Sequence, residues 1–73
     1  MRTSVINYDE ALQEVNNFLD DYELDSIYAE EGAASCSNFP CPEGLDSWSG
    51  ETNAIYVYHI PTGEEVFACA YWN

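Results

Sequence analysis

Residues 53–72 read NAIYVYHIPTGEEVFACAYW. Two runs rich in Tyr, Val, Ile and Phe, which suit a pleated and half-buried strand, flank the tetrapeptide Ile60-Pro61-Thr62-Gly63. Proline at its second position and glycine at its fourth fit a type I turn closed by a left-handed residue. The stretch therefore predicts a β-hairpin with strands over 53–60 and 64–72. That turn places Ile60 opposite Glu64, Tyr58 opposite Val66, Tyr56 opposite Ala68 and Ala54 opposite Ala70. Side chains alternate across a strand. One face then carries Ala54, Tyr56, Tyr58, Val66, Ala68, Ala70 and Trp72, and the other Ile55, Val57, His59, Phe67, Cys69 and Tyr71. Both faces are largely apolar, whereas a solvated face of an antiparallel sheet turns polar. Either both are covered, or one is a binding surface.

The covering element lies upstream. Tyr8, Ala11, Leu12, Val15, Phe18, Leu19 and Tyr22 recur at helical spacing and fall within an arc of about 120° at roughly 100° per residue. Acidic and amide side chains fill the opposite side. Asn7 suits the N-cap, with Glu10 three residues on as in a capping box. A helix over 8–22 is expected to pack on the hairpin. The small Ala68 and Ala70 suggest the face it approaches, with Tyr56 and Tyr58 flanking it. Leu24 to Ala29 reads as a short strand or a frayed turn. Residues 30–52 hold Gly32, Pro40, Pro42, Gly44 and Gly50 among several serines and read as a long loop. Within it, Pro42 can start a short helical turn through Trp48, and Phe39, Leu45 and Trp48 pin it to the body. The expectation is one α+β domain over 1–73, an N-terminal amphipathic helix on a small antiparallel sheet with a C-terminal hairpin. A domain this short buries only about 60% of its unfolded surface, so its stability is expected to be marginal.

Charge is the outlying property. The 73 residues include 14 Asp plus Glu against a single Lys plus Arg, for a formal net charge of -13. Self-repulsion at this excess opposes compaction. Hydrophobic residues at 47% still supply a core and argue against disorder. Phosphate contacts need Lys or Arg, so nucleic acid is not expected as a partner, nor is an anionic membrane surface. A basic protein is. No apolar run is long enough to span a bilayer, and Arg2 is followed by no apolar run of the signal-peptide kind. Three cysteines, Cys36, Cys41 and Cys69, make an odd count. Together these point to a reducing, cytoplasmic setting.

Catalytic and metal chemistry find little purchase. Cys36, Cys41, Cys69 and His59 are the residue types of a zinc site, but the hairpin sets His59 and Cys69 about four residues apart along the ladder, roughly 13 Å. Zinc ligands converge at about 2 Å each. Cys69 reads better as a small buried hydrophobe, Cys36 and Cys41 as loop thiols able to pair under oxidation, and His59 as a surface strand residue. No lysine is available for a Schiff base, no carboxylate pair is marked out by a pocket that would separate its pKa values, and no EF-hand pattern occurs. Neither an enzyme nor a cofactor is expected.

What remains is the carboxylate array. Glu10, Glu14 and Asp21 share one stripe of the helix, and Asp9 and Asp20 a second. Acids four residues apart rise about 6 Å, similar to a row of backbone phosphates. Asp20, Asp21, Glu23 and Asp25 cluster at the negative end of the helix dipole, where cations belong. Such a local conflict is expected at a functional surface. Glu30 and Glu31 extend the row. The candidate partner-binding residues are Glu10, Glu14, Asp20, Asp21, Glu23, Asp25, Glu30 and Glu31, with Tyr56, Tyr58 and Trp72 as aromatic anchors.

Short length, extreme acidity, absence of lysine and an aromatic-rich hairpin together resemble phage-encoded inhibitors that mimic DNA, among them anti-CRISPR and anti-restriction proteins and uracil-DNA glycosylase inhibitors. The resemblance is one of overall character across the whole chain, not of a motif. It implies a monomer or weak dimer, in the host cytoplasm if phage-encoded, that occupies the basic nucleic-acid channel of a nuclease or CRISPR effector subunit. Its carboxylates would stand in for phosphates against Arg. Three other readings share parts of this profile. An immunity protein or antitoxin would block one basic nuclease toxin, a halophile protein would use its acids for solvation, and an assembly subunit would cover an apolar sheet face with a permanent partner.

Overall fold

The helix forms where the apolar spacing sets it. In the computed structural model, which describes residues 1–22 and 26–72, α1 spans Tyr8–Tyr22. Asn7 Oδ1 accepts a hydrogen bond from the Glu10 amide at 2.9 Å, and the Glu10 carboxylate reaches back to accept from the Ile6 amide at 3.3 Å. These reciprocal bonds satisfy donors that a helix start leaves open.

Four strands follow the order β1-β4-β3-β2, where β1 is Arg2–Val5, β2 Ile27–Ser35, β3 Glu51–His59 and β4 Glu64–Tyr71. The class is α+β with the helix packed on the sheet, but the sheet is mixed rather than antiparallel. β1 lies parallel to β4, with Arg2 opposite Ala68 and Val5 opposite Tyr71. Chain direction explains this. A strand–helix–strand crossover returns the chain in the same sense, so β2 runs with β1, and the two antiparallel steps through β3 bring β4 back to that sense.

Two departures from expectation concern the middle of the chain. Glu30–Ser35 is strand and not loop. Glu, Gly and Ala lower strand preference, yet an unbroken ladder from Ile27↔His59 to Ser35↔Glu51 holds the segment in place. Of the Leu24–Ala29 alternatives, Ile27 to Ala29 are strand, while Glu23, Leu24 and Asp25 lie outside the described residues. The loop therefore runs from a 3-10 turn at Cys36–Asn38 to Gly50. Pro42 opens a single turn, closed by Leu45 N–H to the Pro42 carbonyl at 3.2 Å, and not a helix. Gly44 at φ 96° takes the chain out of helical conformation.

The hairpin register holds at Tyr56↔Ala68 and Ala54↔Ala70 and shifts near the turn. Four residues, Ile60 to Gly63, form the connection, with Gly63 at φ 72° donating its amide to the His59 carbonyl at 2.7 Å. His59 thus faces Glu64 and Tyr58 faces Glu65, and a bulge restores the register by Val57↔Phe67. The bulge moves Val66 off the alanine face and onto the helix-side core.

Both sheet faces are covered, in the reverse sense to that expected from the alanines. The helix packs Ala11 and Val15 against Ile55, Val57, Phe67, Cys69 and Tyr71, and Phe18 stacks on Phe67 at 4.7 Å between centroids. Close approach is granted by Ala11 on the helix, so the sheet supplies the large side chains. The alanine face (Ala34, Ala54, Ala68 and Ala70) instead receives the loop, whose Phe39 and Trp48 fill the space that small residues leave. Leu45 stays exposed and does not anchor the loop.

Candidate partner-binding surface

Asp9, Glu10, Glu14, Asp20 and Asp21 all stand exposed on α1, a helix about 22 Å long at 1.5 Å per residue. Its last turn holds no basic residue. Among the described residues the one salt bridge joins Arg2 to Glu65, forked at 3.0 and 3.1 Å. The guanidinium also lies 4.9 Å over the Phe39 ring. The only cationic side chain that arginine and lysine supply is thus spent at the edge of the sheet. The helix carboxylates have no ion-pair partner among the described residues.

The predicted acids do not form a single row. Glu10 and Glu14 join Glu43 around a cleft of about 570 Å³ between α1, β1 and the loop. Asp20 and Asp21 stand at the far end of the helix. Glu30 and Glu31 sit in the middle of β2, with successive side chains on opposite faces. Glu31 turns toward the helix face, where it accepts from the Tyr71 hydroxyl at 2.7 Å and the Tyr8 hydroxyl at 3.5 Å. It is therefore a structural acceptor as well as a surface charge.

The aromatic candidates differ among themselves. Tyr56 is half-buried, and its hydroxyl donates to the Ala33 carbonyl at 2.9 Å. Tyr58 is half-buried between Tyr56 and Tyr28, with centroid distances of 6.4 and 5.2 Å. Burial raises the Tyr58 hydroxyl pKa, and Glu30 and Glu65 add to the effect. Trp72 is 49% exposed beside Trp48, 5.2 Å between centroids. Two residues that are not among the predicted anchors belong with them: Tyr28, 46% exposed, and Leu12, expected on the buried face of the helix but 38% exposed. Tyr28 becomes visible as the partner of Tyr58 once β2 is continued through the acidic stretch.

The thiols are free, with Cys36 and Cys69 buried and Cys41 exposed. Cys36 is therefore a packed residue and not a loop thiol open to solvent. Burial pushes its pKa up, and Glu51 adds to that. His59 is half-buried, its Nδ1 3.1 Å from Thr62 Oγ1. Among the described residues no three His, Cys, Asp or Glu side chains gather as a metal site, and no helix is long and apolar enough to cross a membrane.

Two buried acids couple the core to pH. Burial, then Glu14 and Glu10, push the Cys69 thiol up to about 12. Burial, then the bonded Glu31 carboxylate, push the Tyr71 hydroxyl up to about 12. In the unfolded chain these groups ionise from their ordinary 9.0 and 10.0. The unfolded state therefore releases protons first, and stability present below about pH 9 declines as pH rises toward about 12. Thermal melts by circular dichroism should show the melting temperature falling through that window, with Tyr71→Phe softening the fall above about pH 10. A melting temperature unchanged across the window would contradict the packing described for these two side chains.

Fold and surface together define a small α+β protein with a helix on one sheet face, a loop on the other and a strongly anionic exterior. No family model, curated protein or solved structure matches the chain.

Proposed function

We propose that the protein is an inhibitor that offers its acidic exterior to the basic nucleic-acid-binding site of a nuclease or CRISPR effector, with carboxylates in place of phosphates. The supporting observation is the set of exposed carboxylates on α1 that lack cationic partners among the described residues and reach into its last turn. Misplaced acids at a helix C-terminus each cost about 0.3–1 kcal/mol. Retaining them against that cost is accounted for when a lysine- and arginine-lined groove receives them. Such a field speeds encounter with a basic partner and weakens as salt rises.

The test separates binding from stability. The double change Asp20→Lys with Asp21→Lys should stabilise the isolated fold by about 1 kcal/mol, visible as a rise of several degrees in melting temperature. The same variant should bind the inhibited enzyme at least tenfold more weakly, with a shallower salt dependence. The readout is competition with duplex DNA on a panel of purified restriction nucleases and guide-loaded CRISPR effectors, at low and high salt. Inhibition of one panel member, lost in the double variant, is the expected result. Failure of the unaltered protein to displace DNA from any panel member, together with folding that requires molar salt, would sink the proposal.

A further inference from the structure

We propose that the outer edge of β2 is a docking site for an extended segment of the partner protein, one in which basic residues alternate with apolar ones. The basic character rests on the acidic-inhibitor reading; the strand geometry does not.

The direction of the backbone groups follows from bonds at both ends of the strand. Ile60 N–H donates to the Ser26 carbonyl at 2.8 Å, and Cys36 N–H donates to the Gly50 carbonyl at 2.9 Å. Hydrogen-bonded pairs alternate along an antiparallel ladder. In the observed register the bonded pairs are then Tyr28/Tyr58, Glu30/Tyr56, Gly32/Ala54 and Ala34/Thr52. Ile27, Ala29, Glu31 and Ala33 turn their N–H and C=O groups outward. Tyr56 gives an independent check: it belongs to β3, and its ring passes over Gly32 to donate to the Ala33 carbonyl on the far side. Among the described residues no other hydrogen bond reaches these outward backbone groups.

The protection of the β2 edge is its negative charge alone, Glu30 and Glu31, which repels another acidic strand but not a basic one. Proteins blunt edges with short strands, charged side chains, proline or a bulge. β2 is nine residues long, contains no lysine or proline, and keeps an unbroken register. Ala29, Glu30, Glu31 and Ala33 are all exposed. The flanks specify what lies against it. On the helix side a cleft of about 200 Å³ is lined by Tyr8, Leu12, Ala29 and Ile55 together with Glu30 and Glu31. The Glu31 carboxylate is already engaged by the Tyr8 and Tyr71 hydroxyls, which leaves the apolar walls to receive an apolar side chain. On the loop side stand Glu30 and the open ring of Tyr28, which suit a guanidinium. The chain holds its own Arg2 by the same chemistry, over Phe39 and forked to Glu65. Arginine over an aromatic face and beside a carboxylate gains from both. A second copy is a poor occupant, because it would set Glu30 and Glu31 of two chains of charge -13 against each other.

The probe is the peptide Thr-Val-Arg-Val-Arg-Val-Thr, followed by amide hydrogen exchange of the full chain. Without peptide, the amides of Ala29, Glu31 and Ala33 should exchange fast, and those of Tyr28 and Glu30 slowly. With peptide, the first three should slow at least tenfold. A peptide with Glu in place of Arg, or one N-methylated at alternate amides, should leave them fast. Ala29→Pro removes one outward amide and no ladder bond; it should keep the circular dichroism spectrum and bind the peptide at least tenfold more weakly. If that variant misfolds, the N-methylated peptide makes the same comparison on the unaltered chain. Undiminished binding by the N-methylated peptide, or slowing without peptide that grows with protein concentration, would overturn the site, the latter in favour of a second copy. The Asp20→Lys/Asp21→Lys variant should retain the edge protection. Loss of edge binding with nuclease inhibition intact would overturn the docking site alone.

Discussion

Phe67→Ala is expected to leave the protein largely unfolded at room temperature. Phe67 is 2% exposed, faces Val57 across the hairpin and stacks on Phe18 of the helix. Removing a buried Phe side chain costs about 3–5 kcal/mol. A domain of this length has about 4–11 kcal/mol in total, from roughly 0.05–0.15 kcal/mol per residue, and self-repulsion at a net charge of -13 works against it. The substitution removes much of that margin at the point where the helix meets the sheet. Far-UV circular dichroism should show either loss of the helical signal or a melting temperature at least about 12 °C lower. A variant that melts within a few degrees of the parent would mean that the helix is held by something other than this contact.

Ala70→Leu should separate the two covers of the sheet. Ala54, Ala68 and Ala70 are fully buried beneath the loop that carries Phe39 and Trp48. Extra methylenes in a filled layer cost about 1–3 kcal/mol. The loop is the element that yields, because a 3-10 turn and a few backbone bonds are what order it. Trp48 also carries a buried indole N–H with no hydrogen-bond partner among the described residues, a burden of about 1–3 kcal/mol. The expected outcome is a loop lifted from the sheet beneath a retained helix: red-shifted tryptophan emission, loss of the Trp48–Trp72 contact in near-UV dichroism, and an unchanged far-UV spectrum. Loss of the far-UV helical signal at the same temperature would show that the two covers form one cooperative unit.

Legibility in the sequence tracked how local each signal was. The α1 boundaries could be read from seven apolar residues and the Asn7 cap because both act within one or two turns. The hairpin was readable from Pro61 and Gly63, although the fourth loop residue and the bulge at Val66 were not, since turn residues constrain the strands only near the tip. Continuation of β2 through Glu30, Glu31 and Gly32 was hidden because its stability comes from the β3 ladder and not from its own residues. Arg2–Val5 is too short and polar to announce a strand, and its partner is 66 positions away at Ala68. The face chosen by the helix depended on Ala11 rather than on the alanines of the sheet, a matter of how two surfaces interlock. Of the candidate surface, the helix acids are exposed but divide between the cleft, at Glu10 and Glu14, and the far end of the helix, at Asp20 and Asp21. Glu31 is tied to Tyr71, and the exposure of Tyr28 and Leu12 emerged only with the tertiary arrangement.

Pairing of β1 with β4 sets the order in which a nascent chain can acquire this architecture. β1 finds its neighbour only when the segment around Ala68 has been synthesised, so until then a growing polypeptide can pair β2 with β3 but cannot complete the sheet on which the helix rests. Burial of the helix against Phe67, Cys69 and Tyr71 therefore waits for synthesis through residue 71, and until then the abundant negative charge keeps the waiting apolar side chains of one polypeptide apart from those of the next.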